Sequence, residues 1–354
     1  MIIIIPILLL ALAACSPPNS DTGVPGTTPP STHTIPKNSL LSTSPTVQPT
    51  TFVPIATETT YREPEENSEI RSLAHPSSTS TSERVIKETE RPTEVPPSPT
   101  TRPSDWMDMP VIPVVSENAR QIYLRGLEMG NDPHAFSKVG DCQNVPSYFM
   151  AVFDGSPEYY RLGEYEHLQD TIDWFSGSFA RESSAVRGGY NGAALLNPLM
   201  ANREVCEKNE GPLACELRQN RPSIAIISLE TWWSKKPAEK YEQYLRPVIE
   251  YTIDHGTVPI LTTKADNLEG DNSINAKIVE LAWEYDIPLW NFWKAAQPLP
   301  NHGLGEDNFH LTYAKNYFDD PRRMLSGWPM RNLTALQALD SVWRGVVEVE
   351  NSQP

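Results

Sequence analysis

The most restrictive stretch in this chain is Ile224-Ala225-Ile226-Ile227. A strand with one wet face alternates polar and apolar residues, because successive side chains point to opposite sides. A run apolar at every position has to be covered on both faces, as in the middle of a parallel sheet sandwiched by helices. Other short apolar runs surround it, at 135–139, 184–187, 223–229, 258–263 and 287–291. Amphipathic segments of helical period lie between them, at 165–175, 238–255 and 273–285. The pattern predicts an α/β fold of three layers, α/β/α, around a parallel sheet of about five strands. In such sheets ligands bind beyond the carboxyl ends of the strands.

This pattern does not extend over the whole chain. Of the 34 prolines among 354 residues, many fall in residues 16–104, with Ser and Thr, as in Thr27-Thr28-Pro29-Pro30-Ser31-Thr32. Such a composition cannot bury enough apolar surface to offset chain entropy, so 16–104 reads as a disordered, extended linker, a candidate for glycosylation. Residues 1–15 read as a signal peptide: an apolar core too short to span a bilayer, then Leu12-Ala13-Ala14-Cys15. That tetrapeptide resembles a bacterial lipobox, which implies lipidation of Cys15, a membrane anchor and an extracytoplasmic, surface-displayed protein. The alternative is an ordinary secretory signal. Residues 105–354 then form the folded domain. The formal charge of -16 argues against nucleic acid as a partner. The sequence does not determine an oligomeric state.

The four cysteines, Cys15, Cys142, Cys206 and Cys215, form no CxxC metal pattern, so no metal is expected. Cys206 and Cys215 bracket Gly211-Pro212, and in an exported chain they are expected to pair. Cys142 is left over. It follows an extended run ending at Gly140-Asp141 and precedes a helix-compatible segment, 145–153. A thiol where a strand turns into a helix lies near amides that favour a thiolate and an oxyanion. Far downstream, Asp307 and His310 are three residues apart, a spacing that lets a carboxylate orient an imidazole while its other nitrogen faces a nucleophile. Asn332 is expected to cap the C-terminal helix, although Asn332-Leu333-Thr334 also matches a glycosylation sequon. Trp290 and Trp293 read as core residues, Trp232 and Trp233 as an exposed pair able to face a sugar ring.

The order of these pieces resembles the SGNH, or GDSL-type, hydrolase family, whose domain is flavodoxin-like. Val139-Gly140-Asp141-Cys142 is similar to its first block, with Cys142 where the family carries serine. Arg187 to Ala193 is similar to its second, with Gly192 matching the oxyanion glycine, and Asp307-x-x-His310 to its fifth. The third block departs: around Thr231, Glu230 stands for the glycine and Trp232 for the oxyanion asparagine. The resemblance implies ester hydrolysis, on acyl esters of carbohydrates or small esters, with no cofactor. Cys142 would be the nucleophile, His310 the base, Asp307 its orienter, and the amides of Cys142 and Gly192 the oxyanion donors. Asp141, Asn191, Thr231, Trp232, Lys264 and Asp266 are candidates to bind substrate; for Lys264 and Asp266, capping a loop is the alternative. The competing function is a non-catalytic carbohydrate- or envelope-binding lipoprotein that keeps the fold without the third block.

Overall fold

The computed structural model describes residues 105–229 and 237–347. In chain order the elements are α1 (Glu117–Glu128), β1 (Asp132–Gly140), β2 (Tyr160–Arg161), α2 (Gln169–Trp174), α3 (Gly192–Leu196) and α4 (Pro212–Asn220). They continue with β3 (Pro222–Ser228), α5 (Ala238–Asp254), β4 (Val258–Thr262), α6 (Ser273–Glu284), β5 (Leu289–Trp290), α7 (Phe292–Ala296), β6 (Asn316–Tyr317) and α8 (Gly327–Val347).

The central sheet runs β1-β3-β4-β5, every pair parallel, with Phe136 opposite Ile224, Ile226 opposite Ile260 and Leu261 opposite Leu289. Strand β3 is buried at all its positions, as its uninterrupted apolar run requires. Helices cover the sheet: α4, α3, α5 and α6 pack in that order, and α8 packs with α1, α2 and α7. A separate parallel pair, β2 with β6, ties residues 160–161 to 316–317.

The expected strand at 184–187 is reduced to one parallel bridge, Val186 to Gly140. The reason lies in where its amides go. Ala185, whose polar groups face β1, donates its N–H to Ser183 Oγ at 3.1 Å, so a side chain takes the donor that the next rung would use. The bridge still sits on the free side of β1, so the spatial order is Val186 bridge, β1, β3, β4, β5, that of a doubly wound sheet. The chain reverses its winding between β1 and β3, and that is where such a sheet opens a crevice.

Two local expectations are corrected. Residues 145–153 do not form a helix: Cys142–Asn144 and Ala151–Asp154 are short 3-10 turns, and Met150 between them is left-handed with φ 63°. Nor does Asn332 begin α8, which starts at Gly327. These errors share one cause. Asn332 is buried inside the helix, where it accepts from Met150 N–H at 2.9 Å and donates to Tyr148 O at 2.9 Å. Its side chain thus captures the backbone of 148–150 and draws it out of a helical path. Thr312 caps α8 in its place, its Oγ1 accepting from Gly327 N–H at 2.9 Å.

Candidate active site

Cys142 follows β1 by two residues, at the carboxyl end of the sheet beside the β1–β3 crevice. Gly140 is required here: any Cβ would run into the Ser228 carbonyl oxygen and the Asn144 side-chain amide. Asp141 is buried and its carboxylate accepts from Gln143 N–H at 3.1 Å, closing the turn that presents Cys142. The two residues after the thiol fasten that turn. Asn144 Nδ2 donates to Ser228 O at 2.8 Å, and Gln143 Nε2 donates to Phe309 O at 3.0 Å.

Phe309 belongs to the loop that carries the other two groups. Leu304 and Leu311, both buried, pair antiparallel across its base, and Gly305 N–H donates to His310 O at 2.8 Å. Asn308 turns the loop with φ 55°, a conformation asparagine tolerates better than most residues. Asp307 Oδ1 accepts from the N–H groups of Phe309 and His310, each at 3.0 Å. The other oxygen, Oδ2, lies 2.5 Å from His310 Nδ1. Burial pushes the Asp307 carboxyl upward, but the hydrogen bonds from His310 and the two amides outweigh it and hold it below the usual range.

The result is a line of three groups from two distant segments. Cys142 Sγ lies 3.9 Å from His310 Nε2, within reach of a sulfur hydrogen bond, and His310 Nδ1 faces Asp307. With the proton on Nδ1 held by Asp307, Nε2 is left to accept from the thiol. The sulfur is nearly buried, while the His310 side chain is 43% exposed, so water and ligand reach the imidazole directly.

The remaining candidates are spread more widely. Asn191 caps α3, its side chain accepting from Ala194 N–H at 2.9 Å, and Gly192 is buried where a Cβ would meet Tyr244 O. Within the same turn it is Gly188 that stands beside the nucleophile: a Cβ on it would lie 3.9 Å from Cys142 Cβ. Gly188 and Gly189 are exposed, and Gly189 has φ +83°. Lys264 and Asp266 form a closed, buried ion cluster. Lys264 Nζ donates to Asp266 Oδ1 at 2.7 Å and to Glu269 Oε2 at 2.6 Å, and Asn275 grips the Lys264 backbone at both N and O. Thr231, Trp232 and Cys15 lie outside the described residues.

Cys206 and Cys215 are joined in a disulfide that ties the loop before α4 to the helix itself, and Cys142 is not part of any such bond. The same two sulfurs, with Glu210, are the sole trio among the described residues close enough to hold a metal ion, and their bond takes both thiols out of play. No helix among the described residues is long and apolar enough to cross a membrane.

A cleft of about 920 Å³ opens at the opposite end of the sheet, between Met129, Glu210, Arg221, Tyr251 and His255. It lies at the amino ends of β1, β3 and β4, away from Cys142. Size alone does not make it the site, because it gathers no nucleophile and base, and crevices used by such sheets lie at the other edge.

Gln143 and Gly188 are the residues that sequence reasoning missed. The signal for Gln143 was two amides, Gln143-Asn144, directly after the thiol, where an apolar residue would fill a buried turn at less cost. For Gly188 it was the doubled glycine closest to the end of the apolar run. Compared with known proteins, the chain matches no family model. It matches no curated protein either.

Proposed function

We propose that this protein hydrolyses esters by covalent catalysis at Cys142, in the manner of an SGNH-type hydrolase whose serine is replaced by cysteine. The observation that carries this reading is the line Cys142 Sγ, His310 Nε2, His310 Nδ1, Asp307 Oδ2, with 3.9 Å and 2.5 Å at its two contacts. A nucleophile, a base and an orienting carboxylate in that order constitute an acyl-transfer device on any fold.

In the first half-reaction the Cys142 thiol gives its proton to His310 Nε2, and sulfur bonds to the ester carbonyl carbon. Backbone N–H groups of Cys142 and of the glycine turn from Gly188 to Gly192 stabilise the oxyanion. The carbonyl re-forms, the carbon–oxygen bond of the leaving alcohol breaks, and His310 returns the proton to that oxygen. Water then attacks the thioester with His310 as base, releasing the acid and the thiol. Asp307 holds the ring and stabilises its cationic form in both halves.

The substrate class follows from the resemblance, an acyl ester of a carbohydrate or a small ester. We also place the domain outside the cytoplasm, held to a membrane through Cys15. The Cys206–Cys215 bond supports an oxidising compartment. Replacing Cys15 with Ala is expected to release the protein from the membrane fraction, and unchanged fractionation would refute the anchor.

The test of the activity is intact-mass analysis of the full chain after exposure to an activated acyl ester. A mass gain equal to the acyl group, absent in Cys142→Ala, is expected. A chain that stays unacylated would instead support a non-catalytic, binding role.

A further inference from the structure

We infer that Gln143 is a positioning residue, whose side-chain amide clamps the His310 loop to the Cys142 turn and so sets the sulfur-to-imidazole distance. The inference rests on the reading of Cys142 and His310 as a reacting pair, and it concerns a residue that acts through them.

Gln143 is next to the thiol and 1% exposed. Both of its ends are held. Its backbone N–H donates to Asp141 Oδ1 at 3.1 Å, which fixes the peptide beside Cys142. Its Nε2 donates across 166 residues of chain to Phe309 O at 3.0 Å. The partner is a carbonyl, which can only accept, so the orientation of the amide is not a matter of choice. Phe309 is the residue before His310, and their rings meet edge to face at 4.9 Å. A pull on the Phe309 carbonyl is therefore a pull on the imidazole.

The cost of this arrangement argues for its role. Gln143 Oε1 is buried and accepts no hydrogen bond among the described residues. A half-satisfied buried amide serves stability less well than a methionine or leucine of the same volume. A polar side chain at such a place is explained by the backbone carbonyl it grips on the other segment, a tie between the two turns that an apolar residue could not make. The loop needs a grip: Asp307 and His310 are both far from closed in, at 49% and 43% exposed.

The experiment is iodoacetamide alkylation of the full chain, read at Cys142 by peptide mass. In that reaction the sulfur–carbon bond forms, iodide leaves with the electron pair of the broken carbon–iodine bond, and the thiol proton passes to His310 Nε2. Gln143→Met fills the same space without the N–H donor and is expected to slow alkylation by about 5-fold or more, since reactivity depends steeply on placement. In a His310→Ala background the same change is expected to cost less than about 2-fold, because residues acting through one another are not additive. Gln143→Leu, close in volume and with no polar hydrogen to donate, is the second variant and should match Gln143→Met.

A Gln143→Met or Gln143→Leu protein that alkylates at the wild-type rate overturns the inference. So does an equal slowing with and without His310, which is what a merely structural role would produce. His310→Ala without effect would mark a different failure, that of the reacting pair itself, and would take this inference with it.

Discussion

Cys142 Sγ and His310 Nε2 lie 3.9 Å apart although 168 residues separate them in the chain. The sheet edge brings the sulfur, and a tight loop anchored by Leu304, Leu311 and Thr312 brings the ring. A thiol beside an imidazole passes its proton readily, and the thiolate is the attacking form.

Cys142 should therefore alkylate near neutral pH about 10-fold faster than a simple exposed thiol. His310→Ala is expected to remove most of that advantage. Asp307→Asn should remove less, because Asp307 reaches the sulfur only through the ring. Stopped-time alkylation with mass detection measures all three; equal rates for wild type and His310→Ala would refute the pairing.

Cys142→Ser tests the chemistry from the other side. Serine lacks the intrinsic nucleophilicity of sulfur but fits the smaller geometry that the resemblance implies. Hydrolysis of an activated aryl ester by this variant is expected if the oxyanion donors suffice. A rate at the uncatalysed background in both wild type and Cys142→Ser would show that they do not, a loss of one donor being worth about 10²–10³.

Glu216 is fully buried on α4, where it pairs with Arg181, accepts from Ser137 Oγ at 2.6 Å and accepts from Ser184 N–H at 2.8 Å. Glu216→Ala strands three donors at once. It is expected to destabilise the domain by about 3–5 kcal/mol in chemical denaturation, as for other broken buried pairs. A loss under about 1 kcal/mol, the size expected of an exposed pair, would contradict this account.

Lys138 is the neighbour of Ser137 on β1 and points to the other face, where its Nζ donates to Phe179 O at 2.6 Å. Burial, helped by the charge of Arg181, lowers it to about 8. The unfolded chain then binds more protons than the folded one between about pH 8 and the ordinary lysine range near 10.4, so stability rises with pH across that window. Below it both states are protonated and the full penalty applies, roughly 3 kcal/mol at the value of 1.36 kcal/mol per pKa unit. Lys138→Met is expected to be at least as stable as wild type at pH 7, with the difference shrinking toward pH 10. Parallel denaturation curves at all pH values would refute it.

The Cys206–Cys215 bond closes a loop of nine residues' separation against α4. Replacing both with serine should lower stability by about 2–3 kcal/mol, in line with a short ring. The change should leave the alkylation of Cys142 within about 2-fold, because the bond lies at the cleft end of the sheet. A Cys142-linked peptide in non-reducing mapping would contradict the pairing.

What the sequence determined by itself was whatever depends on local pattern. The unbroken apolar run at Ile224–Ile227 dictated a covered central strand, and the amphipathic periods of α5 and α6 dictated helices on a sheet face. Cysteine spacing around Gly211-Pro212 marked the disulfide, and the order of Cys142, Asp307 and His310 marked the candidate triad. These are legible because burial pattern and residue chemistry are written along the chain. Tertiary structure alone decided the rest. Asn332 looked like a cap and became a buried clamp, because its partners at Tyr148 and Met150 are more than 180 residues away. Gln143 and Gly188 joined the site, and Lys264 and Asp266 closed on each other, through contacts that no spacing rule encodes. A hydrogen bond between distant segments depends on where the whole fold sets its partners, and a sequence read locally holds only one side of it.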